Sequence, residues 1–594
     1  MSDKDIGNFQ ENIHAADYEN PYLEKLVQGS VMTDFYRPAE SLNGKWRFGI
    51  DQYDTCLRAK WYQEDYIDED GRQFPVDFSF DSWETMTVPS CWNMHAPELF
   101  LYESSIVYTR TFRYENHGEE RVLIKFGGVS HRAYVFVNGQ FMGMHIGAST
   151  PFSIEVTDVL KTDNRIVVVA NNTRRRTNVP CENTDWFNYG GIYRDVSLLR
   201  LPGTFVERAS VHLVPNGQYN RITAEVTLDG AEKSGTARLQ IAELKIDEDI
   251  LIEDGIGKVI VSANPQLWSP ENPKLYDVAV TFRDDRITDR VGFREIRVKG
   301  TNIRLNGKGI FLRGISAHEE SVVNGKAISE AEIRENFQLA KEMNCNYMRL
   351  AHYPHTELAA RIADEVGLLL WEEIPVYWAI AFENSAVYED AANQLSELIL
   401  RDQNRASVII WSVGNENADT DVRLSFMKRL TYVARALDST RLVSAACLVN
   451  HTALVIEDRL ADFVDIIGIN EYYGWYEPDF SKLPRIFDNS QPKKPIIISE
   501  FGAGAKRGNH GTRDEKFTEE CQQYVYQQQI AVLRKIPYVQ GASPWILYDF
   551  RCPRRVNSIQ GYYNRKGLLS EDKTYKKPAF FSMQSFYHEL KTMV

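Results

Sequence analysis

The chain has 594 residues, of which 43% are hydrophobic and 25% charged, with a formal net charge of −14. That length exceeds what one core can organise and points to about three or four domains, while the acidic balance argues against a nucleic-acid binder, which carries a basic face. No run reaches the ~18 apolar residues of a membrane span, the N-terminus lacks a signal-peptide core, and seven scattered cysteines predict neither a disulfide framework nor a zinc site. The expectation is a cytoplasmic enzyme without cofactor or metal. Aromatic residues make up 12% of the chain; their faces suit sugar stacking as well as β-rich cores.

Up to about residue 200 the pattern is short strands and turns. Arg121-Val-Leu-Ile-Lys-Phe126, Ala133-Tyr-Val-Phe-Val137 and Arg165-Ile-Val-Val-Val-Ala170 read as strands, and Asn138-Gly139 as a hairpin turn. The region predicts a β-sandwich. Between Thr204 and Glu295, further alternating runs predict a small immunoglobulin-like sandwich. From Gly309 onward apolar strands alternate with helical segments. Strands are expected to begin near Gly309, Asn346, Gly367, Ser407, Arg441, Phe463, Pro495 and Tyr538, with a first helix carrying Ile333, Phe337, Ala340 and Met343 at helical spacing. This is the pattern of a (β/α)8 barrel, whose active site lies at the C-terminal ends of its strands.

Two of those ends carry carboxylates. The run Val408-Ile-Ile-Trp-Ser-Val-Gly-Asn415 closes on Glu416, and Ile496-Ile-Ile-Ser499 closes on Glu500. A charge beside a core needs a partner or a task, and a pair of carboxylic side chains flanking a glycosidic bond is the machinery of sugar hydrolysis. Asp364, Glu365, Glu372, Glu373 and Glu471 also lie in this region, so position rather than residue type selects the pair.

Val291-Gly-Phe-Arg294, Leu312-Arg-Gly-Ile-Ser-Ala-His-Glu319, Asn346-Tyr-Met-Arg-Leu-Ala-His-Tyr-Pro354, Gly414-Asn-Glu416 and Ser499-Glu-Phe-Gly502 together resemble glycoside hydrolase family 2. The resemblance covers nearly the whole chain. It implies a jelly-roll β-sandwich like a sugar-binding domain over 1–203, an immunoglobulin-like β-sandwich over 204–295 and a catalytic TIM barrel over 296–594. It also implies Glu416 as acid/base, Glu500 as nucleophile, and a homo-oligomer, dimer or tetramer.

Within the family, Asn470-Glu-Tyr-Tyr-Gly-Trp-Tyr476, Asp185-Trp-Phe-Asn-Tyr-Gly-Gly-Ile-Tyr-Arg194 and Asn564-Arg-Lys566 are similar to β-glucuronidase motifs. That similarity implies a glucuronide substrate, with Asn564 and Lys566 holding the sugar carboxylate. It further implies Asn415 on the 2-hydroxyl, Tyr472 on Glu500, Tyr476 and Trp545 in the sugar pocket, and His318 and Asp185 on ring hydroxyls. Arg349 and His352 would support the nucleophile. A fixed cation and an amide donor are what a C6 carboxylate requires, because charge-assisted bonds to it are strong.

Departures from that pattern are Glu471 in place of Arg, and Gln560 where an Arg contacting the carboxylate often stands. Arg554 or Arg555 could take over that contact, and β-galacturonides, differing at C4, stay open as substrates. So do neutral-sugar β-galactosidase or β-mannosidase activity and an inactive carbohydrate-binding scaffold, although two catalytic glutamates serve no binding module. Other chemistries lack their motifs. Gly502-Ala-Gly504 misses the third glycine of a dinucleotide loop, His318-Glu-Glu320 lacks a second zinc-protease His, and there is no Gly-x-Ser-x-Gly.

Overall fold

Alternation along the strands builds two facing sheets in the N-terminal region. The computed structural model describes residues 21–33, 36–63, 80–116, 118, 120–215 and 217–592. One sheet orders Thr85–Val88, Gly44–Asp51, Ser105–Arg113, Asp163–Asn171, Arg132–Val137 and Gln140–Ile146; the other orders Ala39–Ser41, Val196–Pro202, Glu120–Phe126 and Phe152–Glu155. Along Asp163–Asn171, Ile166, Val168 and Ala170 enter the core between the sheets, while Val167 and Val169 join an outer cluster with Tyr62, Phe80 and Phe136. Asn138 and Gly139, at φ 50° and 77°, form the tight turn between paired Val137 and Gln140.

Seven antiparallel strands, from Thr204–Leu213 to Asp285–Val291, form the second unit around an apolar core of Val206, Val226, Ile250, Val280 and their neighbours. A three-stranded meander follows (Ile296–Lys299, Asn302–Leu305, Lys308–Gly309). Its Ile296, Ile303 and Leu305 pack with Leu312, Leu369, Ile409, Leu442 and Ile466 near the starts of barrel strands, which seals that end of the barrel.

The barrel strands are parallel and begin at Leu312, Tyr347, Leu369, Val408, Leu442, Ile466, Ile496 and Val539, each within three residues of its predicted start. The first strand is interrupted. Its piece Leu312–Arg313 pairs with the eighth strand, Val539–Ala542, and its piece Ser316–Ala317 pairs with the second, Tyr347–Leu350, so the sheet closes on itself. The predicted first helix is Glu330–Glu342, started by a reciprocal Ser329–Glu332 capping box and buried through Ile333, Phe337 and Ala340.

The sandwich is fastened to the barrel beside its catalytic end. Arg194 donates to Glu319 at 2.8 Å and to the Pro354 carbonyl at 3.0 Å. Gln394 donates to the Val179 carbonyl at 2.8 Å. These contacts hold residues 179–194 against the strand ends, which is how a sandwich loop reaches the barrel's site. All seven cysteines are buried free thiols. No helix among the described residues is long and apolar enough to cross a membrane.

Candidate active site

Strands three, four and seven, Leu369–Glu373, Val408–Asn415 and Ile496–Glu500, are buried along their whole lengths. Polar side chains at their ends therefore emerge from an apolar wall and meet one another. The backbone turns left-handed at Glu416, φ 52°, a conformation uncommon for a residue with a side chain. Glu416 Oε2 accepts from Trp378 Nε1 at 2.8 Å. Burial, and then the charge of Glu500, push the Glu416 carboxyl above its ordinary value, against the opposing bonds from Trp378 and Asn470.

Glu500 is held differently. Its Oε1 accepts from Arg349 at 2.8 Å and its Oε2 from the Tyr472 hydroxyl at 2.7 Å. Arg349 is fully buried and also donates to Glu373 at 3.0 and 3.1 Å and to Asn415 Oδ1 at 2.8 Å. His352 Nδ1 lies 2.8 Å from Glu373 Oε1, and its Nε2 lies 3.7 Å from Glu500 Oε1. Although burial opposes it, Arg349 with His352 holds the Glu373 carboxyl down at about 2. Glu500 thus faces a cation and a phenol, while burial and its neighbour's charge raise Glu416.

A cavity of about 330 Å³ opens over the pair. Of the residues expected in the site, Asp185, His352, Glu416, Tyr472, Tyr476, Glu500, Trp545 and Lys566 line it. Lys566 is only 6% exposed, and its ammonium donates to the Tyr476 hydroxyl at 2.8 Å, with its charge 4.6 Å from the Tyr472 ring centre. No carboxylate among the described residues lies within ion-pair distance of it. A buried cation without a counter-ion is costly unless a ligand supplies one.

Four expected residues stand behind that wall. Arg349 is the hub just described. Asn415 directs Oδ1 at Arg349 and Asn470 and leaves its buried Nδ2 without a partner. His318 packs its ring 5.3 Å from that of Trp545; its Nε2 is buried and unpartnered, and burial keeps the imidazole far below its ordinary value, hence neutral. Asn564 donates to Asp185 at 3.1 Å and accepts from the Lys566 amide at 3.1 Å, so it orients two cavity residues rather than facing the cavity itself.

The cavity also holds residues that sequence reasoning did not select, Tyr377, Trp378 and Asn470, and it holds Arg555, one of the two arginines offered in place of an Arg at position 560. Trp378 and Asn470 follow or end buried strands, as the glutamates do, so the same positional signal applied to strands three and six would have found them. Arg555 pairs with Asp185 at 2.5 Å inside the cavity. Gln560 lies outside it, accepting from Asn557. Glu471, also on the cavity lining, accepts from Gln529 at 2.9 Å and from the Tyr473 amide at 3.0 Å.

Comparison with known proteins agrees with this architecture. "Glycosyl hydrolases family 2, sugar binding domain" matches residues 39–202, "Glycosyl hydrolases family 2" matches 208–294, and "Glycosyl hydrolases family 2, TIM barrel domain" matches 296–592. The chain belongs to glycoside hydrolase family 2. It is a glycoside hydrolase, and its curated relatives include β-glucuronidases. One from Paenibacillus borealis is 27% identical, over 91% of this chain and 96% of its own. A β-galacturonidase from Eisenbergiella tayi, solved bound to galacturonate, superposes with TM-score 0.80 at 25% identity, covering 93% of this chain and 97% of that one. A Ruminococcus gnavus β-glucuronidase superposes with TM-score 0.82 at 25% identity, covering 94% of this chain and 100% of that one.

Proposed function

We propose that the protein is a retaining exo-β-glucuronidase. Glu500, bonded by Arg349 and oriented by Tyr472, attacks the anomeric carbon while Glu416 protonates the departing oxygen. The bond from carbon to the aglycone breaks as the bond to Glu500 forms. Glu416, now a carboxylate, then removes a proton from water, which displaces Glu500 from the sugar and restores both groups. The unpartnered Asn415 Nδ2 is suited to the 2-hydroxyl, whose hydrogen bonds strengthen in the transition state.

The observation that carries the uronide is Lys566, buried on the cavity wall without a counter-ion. A sugar carboxylate at C6 completes it. A neutral hexose leaves that ammonium desolvated and unpaired, so it is selected against rather than merely unassisted. Arg555 adds a second cation to the same wall, in a position that Gln560 does not reach.

A β-galacturonide remains the alternative glycone, favoured by the galacturonate-bound neighbour and by Gln560 at the position where relatives often carry Arg. Release of p-nitrophenol from the β-glucuronide, β-galacturonide and β-galactoside, measured in parallel, tests the proposal. The expected order places the glucuronide first and the neutral galactoside last. A galactoside turned over as well as either uronide overturns the assignment to acidic sugars.

A further inference from the structure

Most of the charged side chains around the cavity have an oppositely charged partner. Arg349 is neutralised by Glu373 and Glu500, Arg555 by Asp185, and Glu477 on the rim by Lys482 at 2.6 Å. Lys566 takes the sugar carboxylate. A further cation is left over, Arg554. It is exposed, and no carboxylate among the described residues lies within ion-pair distance of it. Its guanidinium carbon sits 5.1 Å from the ring centre of Trp378.

Its location is determined by two neighbours. Arg554 belongs to a turn closed by the Arg555 amide on the Cys552 carbonyl, 3.0 Å, and by the Cys552 amide on Tyr562, 2.8 Å. Arg551, at the base of that turn, donates to the Ser321 and Val322 carbonyls at 3.1 and 2.6 Å. The turn is therefore anchored, and its two guanidinium groups diverge, Arg555 into the cavity and Arg554 onto the indole. That indole binds Glu416, the residue assigned to the leaving-group oxygen. Arg554 thus stands on the ring that binds the residue assigned to the leaving-group oxygen. An arginine resting on an aromatic face keeps its in-plane N–H groups available for a carboxylate.

We propose that Arg554, resting on Trp378, forms a leaving-group subsite for an aglycone that carries a carboxylate, as the second sugar of an acidic oligosaccharide does. This rests on Glu416 being the acid/base. The protein would then cleave a terminal uronic acid from an acidic chain in preference to a neutral conjugate.

The test uses two glycosides with aglycones of similar size that differ by one charge, 4-carboxyphenyl and 4-carbamoylphenyl, on whichever glycone the sugar panel selects. The ratio of their kcat/KM values should favour the carboxylate by about two- to tenfold at low salt, the range of a partly solvated ion pair. It should decline at about 0.5 M salt, where screening shortens the reach of exposed charges. Arg554→Gln should bring the ratio to about one and Arg554→Lys should keep part of it. A ratio that survives Arg554→Gln, or a wild-type ratio already near one, overturns the proposal. Failure of the uronide reading shows on the sugar half of the substrate, and failure of this inference on the aglycone half, so the two are read separately.

Discussion

Trp378 Nε1 donates to one oxygen of Glu416, Oε2, at 2.8 Å, which leaves the proton of the acid to reside on the other oxygen. The indole is held in place from its own backbone, whose amide donates to the Asn415 carbonyl at 2.9 Å and whose carbonyl accepts from Asn417 at 2.8 Å. The loop after strand three and the catalytic end of strand four are thereby one rigid piece. Trp378 is a positioning residue for the acid.

Trp378→Phe keeps the ring and removes the N–H. That bond opposes the upward shift of Glu416, so its loss raises the Glu416 value further. The basic limb of the pH profile of kcat/KM should move up, because the lost bond favoured the charged carboxylate. Substrates with poor leaving groups should suffer more than nitrophenyl glycosides. A basic limb that stays where it was would show that Trp378 only packs.

Removal of each glutamate should leave a different signature. Glu500→Gln should abolish turnover while the melting profile remains cooperative. Glu416→Ala should retain activity on aglycones that leave without protonation, and added azide should restore more by attacking the glycosyl intermediate in place of activated water. Equal loss across all leaving groups would remove Glu416 from the acid/base role. Retention itself is checked by NMR of the first-formed sugar anomer, and an inverted product would exclude a covalent intermediate on Glu500.

Lys566→Ala leaves the sugar carboxylate in a desolvated pocket without its cation, at a cost of about 2–5 kcal/mol. That is roughly a 30- to several-thousand-fold loss in kcat/KM on uronides. Neutral glycosides should lose far less, so specificity should collapse from one side. Asn564→Ala should act in the same direction and more mildly, because Asn564 orients Asp185 and the Lys566 backbone. A uniform loss on acidic and neutral sugars would make Lys566 structural.

Glu471 is pushed up to about 8 by burial. Its folded value lies above the unfolded one, so the native state holds a proton that the unfolded chain releases. That contribution to stability is fully present below the ordinary carboxyl value and is lost as pH rises through about 8. Glu471→Gln removes the titration while preserving the shape. Its melting temperature should exceed the wild type by about 3–6 °C at alkaline pH and converge with it near pH 5. Parallel melting curves at both pH values would show that Glu471 does not titrate there.

The barrel was legible in the sequence because its strands are buried on both faces and leave continuous apolar runs, so strand order and starting points follow from pattern alone. The same runs single out Glu416 and Glu500: one Glu at a strand end reads as a solvated loop residue, but each of these directly follows a core strand, where a charge needs a partner or a task. Trp378 and Asn470 escaped that reading because it was applied to charged residues alone. An aromatic and an amide are ordinary beside a core strand, so only their position, following or ending buried strands, marks them.

The amino-acid order by itself determined the family and the fold, and it singled out the two glutamates and the lysine on which the proposed function rests. Each of these is written in local runs or short motifs. What the tertiary structure decided is how charge is apportioned among groups far apart in sequence. Arg349 goes to Glu373 and Glu500, and Asp185, carried in from the sandwich, goes to Arg555. Lys566 and Arg554 have no carboxylate within ion-pair distance among the described residues. Ion pairing depends on distances of a few ångströms between side chains separated by tens to hundreds of residues, and only closure of the barrel and docking of the sandwich set those distances.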